Sequence, residues 1–395
     1  MWAPLYSKSR STGEDPRAVD VGGRDLLRPT AIRAMKDSTA RLPPAPDVIA
    51  VRPDEEINPV AVGEYLAGRL PGAHGSPELW QFPGGHANLT YLLRYPGGHD
   101  YVLRRPPHGD IPASAHDMGR EYRVLSTLYR VYPPAPRAFV YCEDRAVLGV
   151  PFFVMERRRG VVVRRDVPPE FGGGADPAIN RKLSEVMIDA LVDLHAVDPE
   201  AAGLATLGKP EGYLERQVKG WTERWERAKT RDIPAAPAVI GWLAGHLPPS
   251  APATLVHNDW RLDNMAVAAD DPGRCVAVYD WDMCTLGDPL TDLGTLISSW
   301  YEEGEEFAAL APMPSRAPGF MKRAEAIERY GRRSGRDVRG MPYYYVFGLF
   351  KMAVIVQQLY YRYHKGQTQD ARMAGGEAVA EGMVNLAHAH LAAHG

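Results

Sequence analysis

Two textures of hydrophobic and polar positions divide this chain. From Leu79 short β-type runs follow one another: Leu79 to Phe82, Leu89 to Tyr95 and Tyr101 to Arg105. Turn-forming residues separate them, Pro83-Gly84-Gly85 and then Pro96-Gly97-Gly98-His99-Asp100. A helix is predicted from about His116 to Val131, followed by strand-like sequence at Arg145 to Leu148 and Phe152 to Met155. Ahead of these runs, Asn58 and Pro59 have the chemistry of an N-cap and a first helical position, for a short helix ending near Leu70. After Glu156 the period changes. Leu183, Val186, Met187, Ala190, Leu191 and Leu194 recur at helical spacing, the stripe of an amphipathic helix. Short strands return at Thr254 to Val256, Met265 to Ala268 and Val276 to Tyr279, with Asp270-Asp271-Pro272-Gly273 as a hairpin turn. Asp288 and Pro289 start another helix, and two more are expected over about Tyr343 to His364 and Gly376 to His394.

The order predicts an α+β architecture of two lobes: a small antiparallel sheet with one helix, then a larger, mainly helical part. The expected divisions are an extension over 1–52, a sheet lobe over 53–156 and a helical lobe over 157–395. The extension lacks periodicity and is rich in Pro, Arg, Asp and Ser, so it either wraps the domain or stays mobile.

Composition narrows the function classes. A hydrophobic fraction of 45% and a charged fraction of 24% are ordinary for a globular protein. A net charge of -3 gives no general attraction to nucleic acid or an anionic membrane. Cys142, Cys275 and Cys284 show no metal-ligand spacing and suit a reducing compartment. Pro4, Lys8, Arg10 and Asp15 interrupt any apolar leader, and the longest apolar run, Tyr343 to Val356, contains Lys351 and is short for a membrane span. A cytoplasmic location is therefore expected, with monomer as the default state.

The chemistry concentrates between His257 and Asp292. Phosphoryl transfer to an alcohol needs a carboxylate near the hydroxyl and hard oxygen donors that hold Mg²⁺ against the phosphates of ATP. Kinase-type sites set the base and a metal-binding Asn on one loop, and a second metal-binding Asp after the next short strand. Asp259, Asn264 and Asp280 follow that order. Asp259 is read as the base, Asn264 and Asp280 as the metal ligands. Asp263 and Asp282 serve either the metal or the loop, His257 serves the backbone, and Asp288 and Asp292 are read as scaffold. Glu121 shares a helical stripe with Leu125 and Leu128, so it faces inward and needs a cation, for which Arg104 is the candidate.

Gly84-Gly85-His86-Ala87-Asn88-Leu89-Thr90-Tyr91, Val102 to Pro107, His257 to Asn264, Asp280 to Asp292 and Lys365-Gly366-Gln367-Thr368, in this order, resemble the aminoglycoside phosphotransferase and choline kinase-like family. The likeness is greatest to the branch found as the kinase domain of certain acyl-CoA dehydrogenases, and covers roughly residues 75 to 390. It implies the protein-kinase-like fold, with ATP and Mg²⁺ as cofactors. Gly84 and Gly85 then form a phosphate-covering loop, where His86 and Asn88 donate to phosphate oxygens, and Arg104 stands where a kinase places its phosphate-contacting Lys. Met155, Glu156 and Arg157 become the hinge lining the adenine. Two departures stand out: Asn258 replaces the usual Gly before Asp259, and Arg104 replaces Lys.

The implied partners are ATP and a small-molecule alcohol. Tyr360 to Lys365 mixes aromatics with cations and suits an acidic or acyl-bearing alcohol, as does the branch resemblance. Glu302, Glu303, Glu305 and Glu306 instead suit a polycationic sugar, unless they form only a solvated loop. An aminoglycoside phosphotransferase and an ATP-binding pseudokinase remain alternatives at this point.

Overall fold

The computed structural model describes residues 45–83, 88–107, 117–249, 251–302, 305 and 313–394. Gly84, Gly85 and His86, and nearly all of the N-terminal extension, lie outside them.

Five strands make the sheet of the first lobe: β1 (Glu78–Gln81), β2 (Leu89–Arg94), β3 (Asp100–Arg105), β4 (Ala138–Cys142) and β5 (Phe152–Glu156), in the order β1-β2-β3-β5-β4, with every neighbouring pair antiparallel. The β2–β3 turn places Gly97 and Gly98 at φ 97° and 86°, a region that only glycine enters without strain. The two helices expected in this lobe are present, α1 (Pro59–Leu66) and α2 (Met118–Leu128), and a single turn, α3 (Arg145–Leu148), joins them. Side chains alternate across the strands. Phe152 and Val154 of β5 pack with Val62 and Leu66 of α1, while Phe153 and Met155 pack with Val124, Leu125 and Leu128 of α2. Burial on both faces explains why β5 reads as one continuous apolar run.

Arg145–Leu148, expected to be a strand, is helical for a local reason. The Asp144 side chain accepts from Ala146 N, and Gly149 closes the turn at φ 76°. β4 carries an alternation, Ala138, Val140 and Cys142 buried, that went unread in the sequence.

The second lobe comprises α4 (Pro177–His195), α5 (Tyr213–Ala228), α6 (Ala236–Gly245), α7 (Leu290–Ser298), α8 (Arg323–Ser334), α9 (Met341–His364) and α10 (Gly376–His394). It also holds the short strands β6 (Val161–Val162), β7 (Thr254–Val256), β8 (Met265–Ala268), β9 (Asp271–Val278) and β10 (Thr285–Gly287). Helices α7 and α9 cross at Gly294 and Gly348, where a methyl group on either would overlap the backbone of the facing helix. Among the described residues no helix is long and apolar enough to cross a membrane.

Two pairings set up the site. β8 pairs β9 with Met265 opposite Val278, so the residues just outside the ladder, Asn264 and Tyr279-Asp280, emerge side by side; Tyr279 N donates to Asn264 O at 2.8 Å. β7 pairs β10 with Val256 opposite Thr285, which sets the loop after His257 beside the turn that leads into α7.

Candidate active site

The loop from His257 to Asn264 is held from below. Asp292, buried in the first turn of α7, accepts from His257 N at 2.6 Å and from Asn258 N at 2.7 Å. His195 of α4 reaches Asp292 Oδ2 through Nε2 at 3.3 Å, and its Nδ1 lies 2.8 Å from Tyr330 Oη of α8. Burial alone would raise the Asp292 carboxyl; the bond from His195 and the nearby imidazoles hold it below its ordinary range. His257 Nε2 donates to Tyr279 O at 2.9 Å, and the ring packs edge-on against Trp281 at 4.8 Å. It braces the two strand ends. Asp288 accepts from Leu290 N and from Tyr344 Oη at 2.6 Å, and so ties the start of α7 to α9.

Asn258 and Asp280 are the non-glycine residues with positive φ among those described, at 66° and 69°. Short polar side chains tolerate this region best after glycine, and such conformations gather at functional sites. Asn258 therefore stands where a glycine would serve the backbone, and it adds contacts: Tyr213 Oη donates to its Oδ1 at 2.7 Å and its Nδ2 donates to Met283 O at 3.0 Å. Asn258→Ala loses both contacts and pays the left-handed penalty, so urea melts should show a loss of about 2 kcal/mol or more. Asn258→Gly relieves the backbone and should fall between that variant and the wild type.

Asp259 emerges from this turn. Its Oδ2 accepts from Asn264 Nδ2 at 2.8 Å, and the same amide nitrogen donates to Asp259 O at 2.9 Å. With its nitrogen so used, Asn264 keeps Oδ1 available to a cation. Arg261 lies beside them, 3.6 Å from Asp259 Oδ1 and 2.9 Å from Asp263 Oδ2. Asp263 is thus an ion-pair partner of Arg261.

Across the loop, Arg104 of β3 bridges two carboxylates. It donates to Glu121 Oε1 of α2 at 2.7 Å and to Asp280 Oδ1 at 2.9 Å. The inward Glu121 has the cation that its position demands. Burial pushes Glu121 upward, against the pull of Arg104. Burial likewise favours the neutral form of Asp280, but Arg104 outweighs it and holds Asp280 ionised. Asp282 shifts upward, first through burial and then through the Asp280 charge. Trp281 N donates to Glu121 Oε1 at 3.3 Å, and Arg120 of α2 donates to Cys284 O at 2.7 Å and Leu207 O at 3.1 Å, so α2 is latched to the second lobe at the site.

These donors suit Mg²⁺. The Asn264 amide oxygen and the Asp280 oxygen not used by Arg104 are hard ligands, and the Asp280 charge adds to burial in raising Asp282. Among the described residues no three His, Cys, Asp or Glu side chains converge as a metal cage, so phosphate oxygens and water would complete the octahedron.

The remaining expected residues are placed as follows. Asn88 is buried just ahead of β2, next to the undescribed Gly84, Gly85 and His86. Met155 is buried, and Glu156 N already donates to Arg137 O at 2.8 Å. The Arg157 side chain is committed elsewhere, 2.8 Å from Asp47 and 5.6 Å over the ring of Phe82. Glu302 and Glu305 share the single cation Arg323, and Glu303 and Glu306 lie outside the described residues. Lys351, visible in the sequence as the cation in an apolar run, is 3% exposed and donates to Asn258 O at 2.5 Å from beneath the loop. Tyr213, His195 and Tyr330 carry no mark in the sequence, and of their helices only α4 was expected.

Comparison with known proteins adds the family. A family model described as the phosphotransferase enzyme family matches residues 78–312. The chain is 33% identical over 359 residues to acyl-CoA dehydrogenase family member 10 of Mus musculus, covering 87% of this chain and 32% of that one. It is 30% identical over 332 residues to acyl-CoA dehydrogenase family member 11 of Homo sapiens, covering 81% and 41%. The chain thus spans about a third to two fifths of the length of these relatives. Among solved structures, a Ralstonia eutropha protein provisionally named an aminoglycoside phosphotransferase superposes with a TM-score of 0.74 at 30% identity, over 86% of this chain and 99% of that one. A thermostable mutant of aminoglycoside phosphotransferase APH(4)-Ia, in ternary complex with AMP-PNP and hygromycin B, shares the fold at a TM-score of 0.53 and 19% identity, over 84% and 98%.

Proposed function

We propose that this chain, which belongs to the phosphotransferase enzyme family and is a small-molecule kinase, moves the γ-phosphoryl group of ATP to the hydroxyl of a hydroxyacyl compound. One observation carries the reading: the β8–β9 register brings Asn264 beside Asp280, with Asp259 hydrogen-bonded to Asn264 at 2.8 Å.

Asp259 sits at the rim of the loop with Oδ1 and Oδ2 turned to Arg261 and Asn264, and accepts the proton of the acceptor hydroxyl as its oxygen attacks. Asn264 and Asp280 would hold Mg²⁺, which when bound draws charge from the phosphate oxygens. Arg104, fixed between Glu121 and Asp280, holds β3 to the metal loop. The Asp292 bonds hold the loop rigid, so that Asp259 needs little reorganisation as the reaction proceeds.

The names of the relatives, acyl-CoA dehydrogenases in which the matched region is part of a chain more than twice as long, support this acceptor class. Phosphorylating an acyl-chain hydroxyl converts a poor leaving group into a good one, a useful step beside enzymes that process acyl chains. Incubation with ATP, Mg²⁺ and a cell metabolite extract, followed by mass spectrometry, should show hydroxyacyl compounds gaining one phosphate. ATP binding in a thermal-shift titration, without transfer to any alcohol, overturns the reading. Transfer confined to aminoglycosides corrects the acceptor.

A further inference from the structure

Helix α5 carries Trp221, which is 5% exposed and whose indole Nε1–H has no hydrogen-bond acceptor among the described residues. The Arg224 guanidinium lies over the same indole, with Cζ 4.7 Å from the ring centre. Arg224 has no carboxylate or hydrogen-bond partner among the described residues; its neighbour in sequence, Glu223, attracts it only from a distance. A second cation, Lys351 Nζ, lies 5.7 Å from the centre of that indole and donates to Asn258 O, one residue before Asp259. The two cations sense each other: after burial, which lowers Lys351 most, Arg224 lowers it further, while Asp292 and Asp259 pull it back up.

Arg224 and Lys351 thus both lie against the Trp221 ring, and Lys351 reaches from it to the catalytic loop. Three other arginines have carboxylate partners, Arg104 with Glu121, Arg323 with Glu305 and Arg329 with Asp189, whereas the exposed Arg224 meets the Trp221 ring instead. An arginine stacked on tryptophan is held in place with its donor edge unspent, and that planar fork matches two anionic oxygens.

We propose that Trp221 and Arg224, with the Lys351 charge behind them, form a subsite for an anionic oxygen group on the acceptor. The inference rests on the kinase reading for the identity of the neighbouring site. It gives the acceptor two ends, a hydroxyl at Asp259 and a carboxylate or phosphate at Arg224. A polycationic sugar would meet like charge there.

The test is a binding titration of the full chain with AMP-PNP and Mg²⁺, using a chain-length series of hydroxy acids, their methyl esters and their coenzyme A thioesters. Transfer of phosphate from ATP to the same compounds is measured separately. Arg224→Gln removes the charge at an exposed helix position and should fold normally. The expected result is affinity for the anionic probes lower by about 10- to 100-fold, with the methyl esters unaffected and the KM for ATP unchanged. Arg224→Lys should recover part of the loss. A drop confined to free acids identifies a carboxylate, and one confined to thioesters identifies the carrier phosphates. Equal affinity of wild type and Arg224→Gln for every anion overturns the subsite, even if transfer is measured. Anion affinity that depends on Arg224 without transfer keeps the subsite and overturns only the kinase reading.

Discussion

Replacing Asp259 by Asn should lower kcat by about a thousandfold, within the 10²–10⁴ range of general-base contributions, while ATP affinity stays within a few-fold of wild type. The substitution is nearly isosteric. The new amide can present its oxygen to Asn264 Nδ2, so the 2.8 Å contact that orders the loop has a replacement. The loop is also held by Asp292 and Lys351, neither of which touches the Asp259 side chain in the structure. Folding stability should therefore change little. What is lost is the ability to take a proton from the acceptor hydroxyl, and a negative charge opposite Arg261. Steady-state kinetics with the acceptor found by mass spectrometry, beside an ATP titration and a thermal melt, separate these effects. A kcat within tenfold of wild type would remove Asp259 from the chemistry and leave it a loop residue.

The sequence shows such a site to the extent that its parts are local. Asn264 and Asp280 converge because a short hairpin separates them, and a hairpin register follows from alternating apolar residues and a turn. Glu121 was legible because its helical stripe faces inward, and an inward carboxylate must be paired. The Gly-to-Asn departure at Asn258 resolves once φ is known, since asparagine is among the residues that accept a left-handed turn. Arg145–Leu148 misled because Arg-Ala-Val-Leu suits either strand or helix, and the deciding groups, Asp144 and Gly149, flank it. The supports of the loop stayed hidden for a different reason. His195, Tyr213, Tyr330 and Lys351 arrive from four helices spread along the second lobe, and nothing local tells a helix residue which loop it will meet. The Lys351 charge was visible, but its target, a backbone carbonyl, leaves no mark in sequence.

Arg104→Met should produce the largest loss of stability, about 3–5 kcal/mol, because it strands Glu121 at 0% exposure without its cation. The Glu121 carboxyl is already pushed upward by burial; without Arg104 it takes up a proton at neutral pH to escape the penalty. Its folded pKa then lies above its unfolded value, so the variant should be relatively more stable at low pH and lose stability as pH rises toward that folded pKa. Activity should fall as well, through a higher KM for ATP, since Asp280 Oδ1 loses the partner that fixes it. A second substitution separates the two consequences. Glu121→Leu in the Arg104→Met background replaces a buried ion pair by apolar groups of similar volume, an exchange that is often neutral or stabilising. Urea melts of the double variant should recover most of the lost stability, whereas the KM for ATP should stay raised. Recovery of both would make Arg104 a structural residue only. Recovery of stability alone assigns it to the nucleotide, since the remaining defect then has no folding component to explain it.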